Sequence, residues 1–299
     1  MTVHAVLGAG GVIGRETVAA LRRRHARVIS VGRSAGASDA DVESRRADLL
    51  DPEATRRAVR GADVVHLVAG LPYSSAVWER DWPVIVRNAV AAADAADARL
   101  VAFDNVYAYG RVTGPMTEDA PLRPVSRKGA VRARARELLS GLPGVAVAVA
   151  ADFYGPGART SVFNRFAVDP LRHGRRGAWL FDASLSHSMT YTPDIGEALA
   201  VLGESSEHGV WHLPTAPALT GAEYVEAAGG APGRTRVIGR GLLRLAAVAS
   251  VEARETLEMA YQYEAPYLFD SGRFERRFGP TPTPYATGIR RSTQAAAAS

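Results

Sequence analysis

Short β-branched runs alternate along the first half of the chain with segments whose apolar residues recur every three or four positions. A run of the first kind predicts a buried strand, and a segment of the second kind predicts a helix. The predicted strands are residues 3–7, 27–31, 63–69, 99–103 and 145–151, and the predicted helices are residues 12–24, 52–60, 81–96 and 127–139. Strands separated by helices form a parallel sheet with a ligand crevice at the carboxyl ends of the strands. We therefore expect an α/β fold, a Rossmann-type doubly wound parallel sheet.

The alternation ends near residue 151, where glycine and proline punctuate the chain. We expect residues 1–150 to form the Rossmann domain and residues 151–299 to form mainly a smaller C-terminal substrate-binding region. A predicted helix at 193–204 and a predicted strand at 210–213 return to the first domain, so the two parts interleave. Further helices are predicted at 221–228 and 242–263, before a turn-rich end and a frayed tail at 295–299.

Length and composition are those of an ordinary globular protein. The 299 residues are 47% hydrophobic and 22% charged. No run reaches the roughly 18 consecutive apolar residues that a membrane span needs, and the chain begins with a predicted strand rather than a signal sequence. We therefore expect a cytoplasmic protein without a membrane partner. The lack of cysteine excludes disulfides, thiol catalysis and thiolate metal centres, and no metal site is predicted.

The formal charge of +5 does not by itself indicate a nucleic-acid partner. Lys128 is the one lysine among 36 lysines and arginines, and an excess of arginine, alanine, glycine and valine is typical of a G+C-rich coding sequence. The arginines are dispersed over predicted helix faces without interleaved aromatic residues, so we expect no nucleic-acid binding. The expected partner is a small-molecule substrate, and outer helices could also pair in a homodimer.

The segment between the first predicted strand and the first predicted helix, residues 8–14, reads Gly-Ala-Gly-Gly-Val-Ile-Gly. Glycine permits positive φ angles and a close approach of the backbone to a pyrophosphate, and the amino end of the helix offers free N–H groups and a positive dipole. A glycine turn in this position is the fingerprint of a dinucleotide site. The expected cofactor-binding residues of the turn are Gly8, Gly10, Gly11, Val12, Ile13 and Gly14.

The end of the second strand distinguishes the two nicotinamide dinucleotides. Acidic residues there bind the ribose hydroxyls of NAD, whereas an arginine accommodates the 2′-phosphate of NADP. This chain has Arg33 and Ser34 at that point and no carboxylate before Asp39, which favours NADP(H) over NAD(H). The alternative is that Arg33 is a solvated loop residue. Further cofactor contacts are expected from Asp48 and Leu49 at the adenine edge and from Val68, Ala69 and Gly70.

The ordered motifs of the chain resemble those of the extended short-chain dehydrogenase/reductases, the NAD-dependent epimerase/dehydratase family. The resemblance rests on Gly8, Gly11 and Gly14 and on residues 67–70 (LVAG), 103–110 (FDNVYAYG), 152–157 (DFYGPG) and 269–282, and it spans nearly the whole sequence. It implies a Rossmann fold, a nicotinamide cofactor and an enzyme of the reductase, dehydrogenase or epimerase type.

The catalytic positions depart from the family pattern. The usual Ser or Thr corresponds to Asn105, and the usual Tyr-x-x-x-Lys corresponds to Lys128 and Arg132, so the standard catalytic tyrosine is missing. The resemblance implies that Asn105 hydrogen-bonds a substrate oxygen and that Arg132 binds the nicotinamide ribose. Lys128 stands at the position where the family's proton-transferring residue is expected. The alternative is that Lys128 is a solvated surface residue. In that case the candidate acids are Tyr107 and Tyr109.

Three residues of the second half are expected on the substrate side of the site. Asp152 stands where the family commonly has an Asn near the nicotinamide, and Tyr154 belongs to the same motif. His187 is a candidate substrate contact, although a lone histidine is more often structural. We therefore expect substrate contacts from Asp152, Tyr154 and His187.

Three functions are compatible with these residues. The leading hypothesis is an NADP(H)-dependent oxidoreductase acting on a small organic carbonyl or alcohol. The loss of the tyrosine motivates a second, a non-redox isomerase, epimerase, dehydratase or cyclase on the same fold. The third is a catalytically silent NADP(H)-binding sensor protein.

Overall fold

Seven parallel strands form the central sheet of the computed structural model, which describes residues 2–34, 36 and 38–297, the side chains of 295–297 excepted. In chain order the strands are β1 (Val3–Leu7), β2 (Arg27–Gly32), β3 (Val42–Arg46), β4 (Val64–Leu67), β5 (Arg99–Asn105), β6 (Ala146–Ala150) and β11 (Gly209–His212). Their spatial order is β11-β6-β5-β4-β1-β2-β3, so the predicted Rossmann-type fold is confirmed. The strand order reverses between β4 and β1, which is where such sheets bind ligands.

Helices cover both faces of the sheet. One face packs against α1 (Val12–Arg23) and α6 (Thr192–Glu204), and the other against α2 (Pro52–Ala58), α3 (Ser75–Ala95) and α4 (Arg127–Ser140). All residues of β4 and β6 are buried, as expected for parallel strands covered on both sides. The chain leaves this unit after β6 and returns to it through α6 and β11. No helix in the described part of the chain is long and apolar enough to cross a membrane.

The other residues of the second half form a smaller unit around an aromatic core. Its strands pair in twos, β7 (Asp152–Tyr154) with β10 (Met189–Tyr191), β8 (Ala178–Leu180) with β13 (Arg236–Ile238), and β9 (Ser186–His187) with β12 (Leu219–Thr220). Its helices are α5 (Asp169–Arg172), α7 (Gly221–Ala227), α8 (Arg240–Ala249), α9 (Val251–Glu258) and α11 (Tyr285–Ala297), whereas α10 (Gly272–Phe278) packs on the central sheet beside β11. Buried aromatic side chains of the core include Tyr154, Phe163, Trp179, Tyr191, Tyr224 and Tyr285.

Three of the predicted elements differ from the structure by more than two residues at a boundary. Helix α3 begins at Ser75 rather than at residue 81, and it continues through Pro83 because the buried Trp78 and Trp82 anchor its first turns. The helix predicted at 242–263 is divided at Ser250, whose backbone is extended and whose hydroxyl accepts a hydrogen bond from the N–H of Ala253 to cap α9. Helix α11 runs to Ala297 where a tail was expected, and the last two residues lie outside the described residues.

A buried histidine pair joins β1 to β4 on the face covered by α6. The His4 Nδ1 and His66 Nε2 atoms are 3.0 Å apart, and the rings stack at 5.3 Å. A Cβ atom added to Gly203 of α6 would lie 2.7 Å from the His66 ring, so the backbone of α6 packs directly against the ring. Burial lowers the pKa of His4 to about 4 and the pKa of His66 well below its ordinary value.

We expect the free energy of unfolding to fall as the pH is lowered from 6.5 towards 4. The unfolded chain takes up protons on both histidines in this range, whereas the folded chain excludes them, so protons favour unfolding. The slope approaches about 1.4 kcal/mol per pH unit for each histidine. Urea unfolding at pH 7, 6 and 5 measures it, and the His4→Gln variant should show a shallower slope. A stability that stays constant over this range would contradict the prediction.

Candidate active site at the carboxyl ends of the strands

A cavity of about 420 Å³ lies at the carboxyl ends of β1, β4 and β5, between the sheet and the smaller unit. This volume is within the range that is usual for ligand sites. Its lining comes from the glycine turn, residues 68–71, α9 and residues 159–166. The rest of the wall is mostly apolar or aromatic, with polar side chains from Tyr73, Asn105, Tyr107, Arg132, Asp152, Gln262 and Tyr263.

The cofactor end of the cavity requires glycine at two positions. Gly8 has a φ of +96°, and a Cβ atom there would lie 2.5 Å from the Cα atom of Ala69. A Cβ atom on Gly14 would lie 2.3 Å from the carbonyl oxygen of Gly8. Helix α1 therefore packs directly on the turn, which brings its amino end to the cavity.

The amino end of α1 is left open to a ligand. No side chain of the described residues caps the N–H groups of its first turn, and Gly11, Val12 and Ile13 line the cavity together with Val68, Ala69 and Gly70. A Cβ atom added to Gly10 would have no atom of the described residues within 4 Å, so the space beside Gly10 is also open. A pyrophosphate fits uncapped N–H groups at a helix amino end, and these residues could hold a dinucleotide. The glycine-turn residues predicted to bind the cofactor are all brought together here.

The strand ends beyond the turn carry two exposed arginines. Arg33 follows β2 and Arg46 ends β3, paired in register with Gly32. Among the described residues, neither side chain makes a hydrogen bond or an ion pair. Arg46 is on the same face of β3 as Ser44, whose hydroxyl accepts a hydrogen bond from the Gly36 N–H of the loop after β2. Both cations therefore border this loop.

The other residues predicted at the ribose and adenine end are Ser34, Asp48 and Leu49. Ser34 and Asp48 are exposed, and one Asp48 oxygen accepts a hydrogen bond from the N–H of Leu50. Leu49 is half-buried against the hydrophobic core. Asp48 and Leu49 do not line the cavity itself but lie at the end of β3 beside it.

Asn105 and Tyr107 line the cavity at the end of β5. The Asn105 side-chain oxygen accepts a hydrogen bond from the N–H of Tyr107 at 3.1 Å and caps the short helical turn 106–109. The Tyr107 ring stacks on Trp78, with the ring centres 6.1 Å apart. Burial raises the pKa of the Tyr107 and Tyr73 phenols well above the ordinary value, so both stay protonated at neutral pH.

Arg132 also lines the cavity, and its guanidinium group contacts three neighbouring side chains. The guanidinium carbon lies 3.9 Å from the centre of the Trp82 ring and 4.8 Å from that of Trp78. One Nη atom lies 3.4 Å from a carboxylate oxygen of Asp104, while no described residue accepts a hydrogen bond from its Nε atom. Burial lowers the pKa of Arg132. The cation is fixed in place beside Tyr107 by two aromatic faces and one carboxylate.

Lys128 does not line the cavity, in contrast to the prediction of a proton-transfer role. Its side chain is completely buried, and its Nζ atom is paired with Glu255 and lies 2.5 Å from Glu258 and 3.3 Å from the Ser75 hydroxyl. These four residues, the Lys128 cluster, join α4 and the start of α3 to α9. The solvated alternative is also excluded, because the ammonium is enclosed by its partners.

The three residues predicted to contact the substrate take different places. Asp152 lines the cavity. His187 lies behind it, buried, with its Nε2 atom 3.0 Å from an Asp152 oxygen. Tyr154 is fully buried in the aromatic core of the smaller unit, where it packs on Tyr191, so it has no access to a substrate. Tyr109, the other alternative acid, is likewise buried and bonded to His212.

Several residues of the site were not predicted from the sequence. Tyr73, Trp78 and Tyr263 line the cavity wall, and Arg46 lies outside the lining, beside the loop after β2. Arg46 could have been found, because it ends the strand that lies next to β2 in the sheet. Tyr263 could not have been found, since only the packing of the smaller unit brings it to the site. The described residues contain no cluster of three or more side chains that could hold a metal ion.

Solved structures share this fold over nearly their whole length. A double mutant of the dTDP-glucose 4,6-dehydratase from Streptomyces venezuelae, with NAD bound, is 20% identical with a TM-score of 0.79, covering 99% of this chain and 96% of that one. MoeE5 in complex with UDP-glucose and NAD is 20% identical with a TM-score of 0.76 over 100% and 99% of the chains. The UDP-N-acetylglucosamine 4-epimerase from Bacillus cereus is 17% identical with a TM-score of 0.76 over 98% and 96%.

The sequence comparison gives the family. No curated protein matches the chain. The model of the NAD dependent epimerase/dehydratase family matches residues 4–162, more than half of the 299 residues, including the glycine turn and the Asn105–Arg132 region. The chain therefore belongs to the NAD dependent epimerase/dehydratase family and is an enzyme of the nicotinamide-dependent, epimerase-like kind.

Proposed function

We propose that the protein is an NADP(H)-dependent oxidoreductase that acts on a carbonyl or alcohol with an apolar body. The observation that carries the proposal is the cavity, which joins an open dinucleotide turn to a largely aromatic wall. Asn105 and Tyr107 stand in that wall, at the end of the strand where the family carries its catalytic residues. An apolar wall suits an apolar carbonyl compound better than a polyhydroxylated sugar, whose hydroxyls would need polar partners.

Three polar groups of the wall then have roles in the reaction. The nicotinamide, when bound, supplies or accepts the hydride. Tyr107 donates the proton to the substrate oxygen, because its phenol is protonated at neutral pH and its ring is oriented by Trp78. The Asn105 amide hydrogen-bonds the same oxygen, and Arg132 supplies a fixed positive charge beside it. Lys128 takes no part in proton transfer.

The choice of NADP(H) over NAD(H) is supported by Arg33 and Arg46. Both guanidinium groups border the loop after β2, and neither has a partner of opposite charge among the described residues. An arginine pair matches the geometry and charge of a 2′-phosphate, and the Ser34 hydroxyl is available beside it. NAD carries a 2′-hydroxyl in place of this phosphate and would leave both Arg33 and Arg46 without an anionic partner.

We expect the Arg33→Ala variant to bind NADPH about tenfold to hundredfold more weakly, since a charge-assisted hydrogen-bond pair is lost, and to bind NADH unchanged. Arg46→Ala should act in the same direction. Fluorescence titration of both cofactors measures the effect, and Arg57→Ala, on an exposed face of α2, is the control. Equal losses for NADPH and NADH would contradict the assignment.

The proposed activity is tested by NADPH oxidation against a panel of aryl and alkyl aldehydes and ketones. Consumption of NADPH matched by alcohol formation is the expected result. Tight NADPH binding without oxidation of the cofactor by any carbonyl would overturn the redox proposal and leave a silent cofactor-binding protein.

A second candidate function, isomerisation, epimerisation or dehydration, is favoured by one observation. Asp152 lines the cavity as a carboxylate hydrogen-bonded to Tyr263, in addition to the phenol of Tyr107. A carboxylate base and a phenol acid in one cavity are what a reaction with two proton transfers needs. Conversion of a substrate without a net change of nicotinamide absorbance would identify this function.

A further inference from the structure

We propose that the cavity selects substrates that carry a hydroxyl or amino group apart from the reacting carbonyl, and that Asp152 binds this hydrogen-bond donor. The inference rests on the proposed function for the identity of the reacting group. It assigns Asp152 a selective role and His187 and Tyr263 a positioning role.

One oxygen of Asp152 is held from two sides. Its Oδ2 atom accepts a hydrogen bond from the Tyr263 hydroxyl at 2.7 Å and lies 3.0 Å from His187 Nε2. The His187 and Tyr263 rings stack face to face, with centres 4.6 Å apart and planes 6° apart. The ring of His187 also stacks on Tyr267 at 5.7 Å. The carboxylate therefore has a fixed orientation.

The other oxygen of Asp152 is free for a ligand. No donor among the described residues reaches its Oδ1 atom, and the side chain, 13% exposed, lines the cavity. A carboxylate can only accept hydrogen bonds, so the group it binds must be a donor. A carbonyl, ether or carboxylate placed there has no hydrogen to donate, so it could form no hydrogen bond with the Asp152 Oδ1 atom.

The charges around the cavity leave Asp152 without competition from a nearby cation. Of the three arginines in the lining, Arg132 is paired with Asp104, and Arg165 is paired with Glu252. Arg159 is exposed at the rim. The wall around Asp152 is otherwise aromatic, and aromatic faces also favour a cationic ammonium group. Hydroxyl and amine donors thus share this site, and an experiment separates them.

The test measures binding to the protein saturated with NADP⁺, in which a ketone cannot be reduced. The probes are meta-hydroxyacetophenone, meta-(aminomethyl)acetophenone and meta-methoxyacetophenone, together with their para isomers, titrated by calorimetry. We expect a donor-bearing probe to bind about tenfold to hundredfold more tightly than its methoxy analogue. The donor class is identified by whichever probe, hydroxyl or aminomethyl, has the larger ratio of its binding affinity to that of the methoxy analogue.

The Asp152→Asn variant gives the sharpest comparison. Its amide oxygen would face the Tyr263 and His187 donors, which turns the NH₂ group towards the ligand, so the preference should reverse in favour of the methoxy probe. Tyr263→Phe keeps the ring stack on His187 and should weaken the preference without reversing it. Asp182→Asn removes an exposed carboxylate that does not line the cavity and is the control for lost charge.

The outcomes separate the inference from the proposed function. Equal binding of donor and methoxy probes by the unmodified protein, or an unchanged preference in Asp152→Asn, would overturn the inference. A donor preference that reverses in Asp152→Asn supports it, even if NADPH oxidation is absent. In that case the proposed reduction fails while the binding assignment stands.

Discussion

Replacing Tyr107 by phenylalanine is expected to lower kcat for carbonyl reduction by about 10²–10⁴-fold, the usual contribution of a general acid. The change removes one hydroxyl and keeps the ring that stacks on Trp78, so the cavity wall and the cofactor turn stay in place. Steady-state kinetics with NADPH and the best carbonyl of the panel measure the loss. The dissociation constant of NADPH should be unchanged.

Tyr109→Phe is the matched control for this variant. It removes a phenol two residues away that lies outside the cavity and is bonded to His212 at 2.6 Å. That variant should lose about 1 kcal/mol of unfolding free energy, the contribution of one hydrogen bond, and keep its kcat. If Tyr107→Phe keeps a kcat close to that of the unmodified protein, the proton comes from another group and the assignment is wrong.

Replacing Lys128 by methionine is expected to lower the free energy of unfolding by about 3–5 kcal/mol, because Glu255 and Glu258 would keep partly buried charges without a cation. Methionine has nearly the length of the lysine stem, so the loss is mainly electrostatic rather than a cavity. Urea unfolding at pH 7 measures it. Addition of Glu258→Gln should restore part of the stability, since one unpaired carboxylate is then removed.

The neighbouring residue provides the control. Arg127 is also ion-paired, with Glu79, but its side chain is 61% exposed. Exposed pairs contribute little, and Arg127→Met should change the free energy of unfolding by about 1 kcal/mol or less. Equal effects of the two variants would show that the enclosure of Lys128 has no energetic consequence.

The sheet could be predicted from the sequence because its information is local. The run at β6 is apolar throughout, the run at β1 is apolar apart from His4, and a glycine turn with fixed spacing follows β1, so strand, turn and helix are each encoded within about a dozen residues. The start of α3 was not predictable in this way. Pro83 resembles a helix start, and only the burial of Trp78 and Trp82 explains why the helix begins before it.

The catalytic half of the site depends on contacts between distant residues. Lys128 and Glu255 are 127 positions apart, and Asp152 and Tyr263 are 111 positions apart. No spacing rule relates such residues, so the sequence identified Lys128 as unusual but not as enclosed. It located Asn105, Tyr107 and Asp152 near the site because each follows a strand of the sheet or belongs to a motif beside one.

Because Lys128 is enclosed, the rate at which its amine is chemically modified reports on motion of the cavity wall. Acylating reagents react with an accessible, uncharged amine, and the chain has no other lysine to compete with it. Modification therefore requires α9 to separate from α3 and α4, and its rate measures the frequency of that local opening. Because α9 contributes Glu252 and Thr256 to the cavity, a ligand that holds the wall closed would slow the labelling of a residue that it never touches.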